Sequence, residues 1–181
     1  HKSPRDPHRY VERPVARVQY IVINHTGVPP MTPWYEIAAA HRSDWPGILY
    51  DFCIDEQGVI HQMQPLSEVV ETDQVYLSQA INVAFAGEFN RTAPSEEQIY
   101  AGGQLIAWLM QRFPQVTVEN VRGIREFIDH TSPGEQWMSG RRWKEDLLAA
   151  VRRAGGLVDP SEEEKRLRQR VAELDDQLEA A

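Results

Sequence analysis

The 181-residue chain holds 41% hydrophobic and 25% charged residues with a formal net charge of -8, a composition normal for a soluble globular protein. The acidic balance argues against a nucleic-acid surface, and no apolar run approaches the ~18–20 residues that a bilayer span needs. The single cysteine, Cys53, excludes an intramolecular disulfide and any Cys-x-x-Cys motif, and the size suits one domain plus a short appendage.

In chain order, residues 1–14 are proline-bearing and poor in apolar side chains, and read as an extended lead-in. The chain starts at His1 and its first methionine is Met31, as expected of a processed chain or an excised fragment. A domain is expected over 15–158. Val18 to Ile23 is β-branched and aromatic, the pattern of a buried strand, ending at Asn24-His25-Thr26-Gly27. Thr32 followed by Pro33 predicts an N-cap and a first helical turn, with the helix running to about Arg42. Leu49–Ile54 and Val59–Met63 flank Asp55-Glu56-Gln57-Gly58 as a hairpin. Ile81–Gly87 reads as another strand. Ser95 with Gln98 forms a capping-box pattern before a long helix carrying Ile99, Ile106, Met110 and Phe113 at helical spacing. Ser139 is expected to open a further helix that stops at Gly155-Gly156. Interleaved strands and helices imply an α/β fold, a central mixed β-sheet flanked by helices.

Beyond Pro160, Leu167, Val171, Leu174 and Leu178 step by four, three and four, a heptad seam of about two and a half repeats. This C-terminal heptad helix over 161–181 reads either as a solvated terminal helix or as the start of a coiled coil that would support a homo-oligomer.

Several segments then line up with one known family. Tyr20-Ile21-Val22-Ile23-Asn24-His25-Thr26 resembles its opening strand, which runs aliphatics into a histidine. Trp45 to Phe52 is similar to its Gly-Tyr-His-Phe segment, and Asp55 to Ile60 to its hairpin. Ile81 to Phe89 resembles the segment ending in Gly-Asn-Phe. Arg122-Gly123-Ile124-Arg125-Glu126 resembles Gly-His-Arg-Glu, and Thr131-Ser132-Pro133-Gly134 resembles Cys-Pro-Gly. On these ordered matches, from about Val15 to Leu148, the chain is identified as a member of the type 2 N-acetylmuramoyl-L-alanine amidase and peptidoglycan-recognition family.

The resemblance implies a site that, in active members, holds zinc with His, His and Cys or Asp. The metal activates a water against the amide between lactyl-muramic acid and L-alanine. Carried over, the ligand positions fall on Asn24, Ile124 and Ser132, the assisting tyrosine on Tyr50 and the polar assistant on His130. Asparagine is a weak neutral ligand, isoleucine has no lone pair, and serine is a poor zinc donor. The expectation is therefore an inactive amidase-like domain with no cofactor. It would bind peptidoglycan, a muropeptide or a protein ligand in a groove of Asn24, His25, Tyr50, Ile124, His130 and Ser132. Trp45 and Trp137 are candidates for the rim or, alternatively, for the core. Two alternatives stand beside it. One is an oligomeric scaffold with an occluded groove. The other is an active zinc amidase rearranged around His25, His130 and Asp51 or Asp129. The resemblance also implies an extracellular or cell-envelope setting. Ser132 lacks the strand-turn-helix elbow of serine hydrolases, and Cys53 in an apolar strand reads as core. Ala101-Gly102-Gly103 inside the long helix suggests close helix packing.

Overall fold

A computed structural model describes residues 9–155; the expected helix over 161–181 with its seam, and His1 and His8 of the lead-in, lie outside the described residues. Seven strands are present: β1 (Tyr10–Glu12), β2 (Tyr20–His25), β3 (Phe52–Ile54), β4 (Ile60–Gln62), β5 (Glu68–Val70), β6 (Ala80–Phe85) and β7 (Val121–Gly123). They alternate with α1 (Trp34–His41), α2 (Val75–Ser78), α3 (Glu96–Arg112) and α4 (Trp143–Ala154). Five strands form one sheet in the order β4-β3-β6-β2-β7, parallel except for the β3–β4 hairpin, and β1 pairs separately with β5. This is the expected mixed sheet flanked by helices.

Strand alternation decides the rest. Ile21 and Ile23 of β2, with Ile81, Val83 and Phe85 of β6, point to one face, where Leu105, Ile106 and Leu109 of α3 and Trp143, Leu147 and Val151 of α4 cover them. Val22, Ala80, Ala84 and Cys53 point to the other face, beneath α1 and the segment around Ile124. Asn24 and Asn82 belong to this second face by the same alternation.

The capping box at the start of α3 is formed: Ser95 Oγ accepts from the Gln98 N–H at 3.1 Å and Gln98 Oε1 from the Ser95 N–H at 3.0 Å. Gly102 and Gly103 let α4 approach closely. A Cβ on Gly103 would lie 2.7 Å from Ala150 Cβ, and one on Gly102 would lie 2.6 Å from Phe85 Cζ. Gly103→Val is therefore expected to destabilise by about 1–3 kcal/mol through overpacking, measured by urea unfolding. An unchanged midpoint would show that the α3–α4 contact yields easily.

Three boundaries differ from the sequence reading. Pro33 is the N-cap of α1 and not its first residue, and Thr32 makes no capping bond. Ser139 does not open α4. Its hydroxyl donates to Glu135 O, and the helix begins at Trp143 after Arg142, which adopts a left-handed conformation. The lead-in also ends in structure, because Tyr10–Glu12 pairs with Glu68–Val70 and carries Arg13 into the interior, 4% exposed. Arg13 meets Asp51 at 2.5 Å and donates to the carbonyls of Leu66, Glu68 and Ala80. A polar, proline-rich stretch gave no apolar signal of this. Its anchor is a guanidinium whose donors are met one by one.

Candidate functional site

Asn24 near the end of β2, Asn82 in the first half of β6 and the segment leading into β3 converge on a cleft of about 260 Å³. Its floor is polar. Asn24 Nδ2 donates to Asn82 Oδ1 at 3.1 Å and to Val22 O at 3.3 Å. The Asn82 N–H donates to Asp51 Oδ2 at 2.7 Å, and its side-chain amide donates to Tyr76 O at 3.0 Å. Asp51 is in turn held by Arg13, so a chain of contacts runs from the first strand to the floor. Burial pushes the Asp51 carboxyl up, opposed by the Arg13 guanidinium and the Asn82 N–H.

One wall comes from the end of α1 and the segment after it: His41, Asp44, Trp45 and Tyr50. His41 Nδ1 accepts from the Leu49 N–H at 3.1 Å, and its ring meets Tyr50 edge-on at 4.9 Å. Burial lowers the His41 pKa below its ordinary value. Burial likewise raises the Tyr50 hydroxyl, which donates to His25 O at 3.4 Å. Tyr50 is thus a neutral donor across the physiological range. The opposite wall carries Ile124, Ile128 and His130.

Ile124 is presented by a tight turn after β7. Glu126 secures that turn, accepting from the Gly123 N–H at 2.8 Å, Trp137 Nε1 at 2.8 Å and Lys144 Nζ at 2.7 Å. Burial alone would raise this carboxyl, but Lys144, Trp137 and Gly123 together hold it below the usual carboxylate range. The remaining edge is the 130–133 loop. The Ser132 N–H donates to His130 Nδ1 at 2.9 Å, Ser132 Oγ accepts from the His25 N–H at 2.9 Å, and the Ser132–Pro133 bond is cis.

The cleft therefore gathers Asn24, Tyr50, Ile124, His130 and Trp45, and leaves two proposed groove residues outside its lining. Ser132 is buried behind it. The His25 ring faces the other side of the sheet, as the alternation from Asn24 requires. There its Nδ1 accepts from the Phe89 N–H at 3.1 Å, and its pKa is lowered to about 4 by burial, with His130 acting in the same direction and Glu88 against it. Trp137 is no rim aromatic. It is fully buried against Trp143 at 4.5 Å, because its indole N–H has a carboxylate partner in Glu126. Asn82, Asp44 and His41 were missed as site residues. An asparagine inside the otherwise apolar run from Ala80 to Phe85 was the available signal for the first. Asp44 had no distinguishing pattern, and a histidine at the end of a helix, as His41 is, is accounted for by the free carbonyls there.

The donor set at the positions implied for zinc does not fit the ion. Ile124 offers no lone pair, Asn24 offers only a weak neutral amide oxygen, and Ser132 Oγ, a poor zinc donor, is engaged by the His25 N–H. Among the described residues no group of three or more His, Cys, Asp or Glu side chains could hold a metal ion. Of the rearranged set, Asp51 is engaged by Arg13 and the His25 ring lies on the far face of the sheet from the cleft.

The family model for N-acetylmuramoyl-L-alanine amidase matches residues 14–144. Among solved structures, the endolysin N-acetylmuramoyl-L-alanine amidase LysCS from Clostridium intestinale URNW is similar at 25% identity with a TM-score of 0.60, over 68% of this chain and 80% of that one. Peptidoglycan recognition protein SA of Drosophila aligns at 20% identity and a TM-score of 0.60, over 70% and 78% of the two chains. Its bumblebee counterpart aligns at 18% and 0.64, over 79% and 89%. These last two speak to the fold alone. A search of curated proteins finds no match. With its strand order, its cleft and a family match over most of its length, the chain belongs to the N-acetylmuramoyl-L-alanine amidase family.

Proposed function

We propose that this domain recognises peptidoglycan fragments without cleaving them, acting at a cell wall. The observation that carries the reading is an open cleft whose implied metal positions are wired for other roles. Asn24 is hydrogen-bonded to Asn82, Ser132 to the end of β2, and Ile124 is an aliphatic wall. Loss of three donors removes the Lewis acid that would activate water, while the scaffold that shapes the cleft is retained. Binding of the relatives' kind of substrate needs only the second.

The open cleft weighs against the occluded scaffold, since Ile124 lines the space without filling it. An active amidase with a rearranged site has no supporting donor cluster among the described residues. Metal analysis of the purified full chain is expected to find no stoichiometric zinc, and chromatography of a muropeptide digest is expected to find no new products. Zinc near one equivalent together with cleavage of the lactyl–alanine amide would overturn the reading.

A further inference from the structure

Two histidines in this cleft have their tautomers set by the backbone. His41 Nδ1 accepts the Leu49 N–H and His130 Nδ1 accepts the Ser132 N–H, so in each neutral ring the proton must sit on Nε2. Neither Nε2 engages any described residue, and both side chains line the cleft from opposite walls. The cleft lining thus carries two rings whose Nε2–H groups are free to donate. On the floor, Asn24 is 3% exposed and gives its amide nitrogen to Val22 O and Asn82 Oδ1. That network fixes which end of the amide is oxygen. Asn24 Oδ1 takes no hydrogen bond from any described residue and keeps access to solvent, which leaves an open acceptor at the cleft floor.

We infer that the cleft reads a neutral peptide amide of its ligand, with His41 and His130 donating to carbonyl oxygen and Asn24 Oδ1 accepting amide N–H. This rests on the recognition reading and specifies what that site selects. A ligand N–H that replaces water on this acceptor makes its bond in a partly enclosed, low-dielectric site, where a hydrogen bond is stronger than at an open surface. A carboxylate is the poorer match. The lining carries no Lys or Arg and includes Asp44, so an anion there would meet a like charge. Burial keeps His41 in the neutral form on which the arrangement depends. The aliphatic wall of Ile124 and Ile128 suits a small apolar side chain beside that amide.

The test is calorimetric titration of the full chain with N-acetylmuramoyl-L-alanine, as the free acid and as the methylamide, near pH 7.5. The methylamide is expected to bind at least tenfold more tightly than the acid. His130→Ala, at an exposed position, is expected to weaken methylamide binding at least fivefold, and His130→Gln, which keeps an N–H donor, to recover most of that loss. His41→Phe is expected to weaken it similarly with the thermal midpoint checked alongside, because its ring also packs on Tyr50. Methylamide binding that is indifferent to both histidines, or acid binding at least as tight, overturns the inference and leaves the recognition function standing. Failure of both compounds to bind overturns the two together.

Discussion

Arg13→Ala is expected to lower the unfolding free energy by about 3–5 kcal/mol, the range for breaking a buried ion pair from one side. The substitution strands Asp51, 5% exposed and 2.5 Å from the lost guanidinium, in a site with no other cation beside it among the described residues. It also removes the donors that meet the carbonyls of Leu66, Glu68 and Ala80. Urea unfolding followed by circular dichroism measures the difference. A companion variant separates charge from shape: Arg13→Met with Asp51→Leu removes both charges, and is expected to recover part of the loss but not all, since the carbonyls remain unmet. A loss under about 1 kcal/mol in Arg13→Ala would mean that water reaches Asp51 in the variant. The effect should also extend to the cleft, because Asp51 holds the Asn82 N–H and Asn82 holds Asn24.

Mild acid is the second large expectation. His25 titrates at about 4 in the fold against an ordinary 6.5, mainly because burial disfavours the imidazolium. The unfolded chain therefore binds a proton that the folded chain refuses between those values. By linkage, stability falls as pH drops from about 6.5 towards about 4, with a total of roughly 3 kcal/mol lost at the lower end. Protonation would also take away the Nδ1 lone pair that accepts from the Phe89 N–H. His25→Phe keeps the ring's bulk and removes the titration. Its stability at pH 7.5 is expected to drop with the lost acceptor, while the slope of stability against pH between 6.5 and 4 becomes shallower by about one bound proton. An unchanged slope would assign the acid sensitivity to other groups.

The elements with strong local chemistry were legible in the sequence. The run from Tyr20 to Ile23 is apolar because β2 is an interior strand paired on both sides, and Ser95 with Gln98 carries the start of α3 in two side chains. The residues at the family's three ligand positions, Asn24, Ile124 and Ser132, could be named from the resemblance, and the structure brings Asn24 and Ile124 to one cleft. What stayed hidden depends on partners distant in sequence. β1, β5 and β7 are three residues each, too short for any periodicity to declare itself. Arg13 reads as a surface residue until Asp51 is placed beside it. Trp137 stood open between rim and core, because Glu126, eleven positions earlier, could not be recognised as the acceptor for a buried indole without the fold. His41 had a sufficient local explanation, and only the fold brings it to the same cleft as His130.

The order of strands bears on how the chain acquires its structure. β2 is complete by residue 25, yet its two neighbours in the sheet are β6, Ala80–Phe85, and β7, Val121–Gly123. During synthesis this apolar strand has no partner until a long stretch of chain has followed it. Such non-local pairing slows folding and lengthens the time an aggregation-prone strand is exposed. The hairpin and α3, which close locally, are positioned to form first and to offer β6 as a template on which β2 docks. In refolding after dilution from denaturant, protection of the β2 amides should trail that of α3, and yield should fall as protein concentration rises.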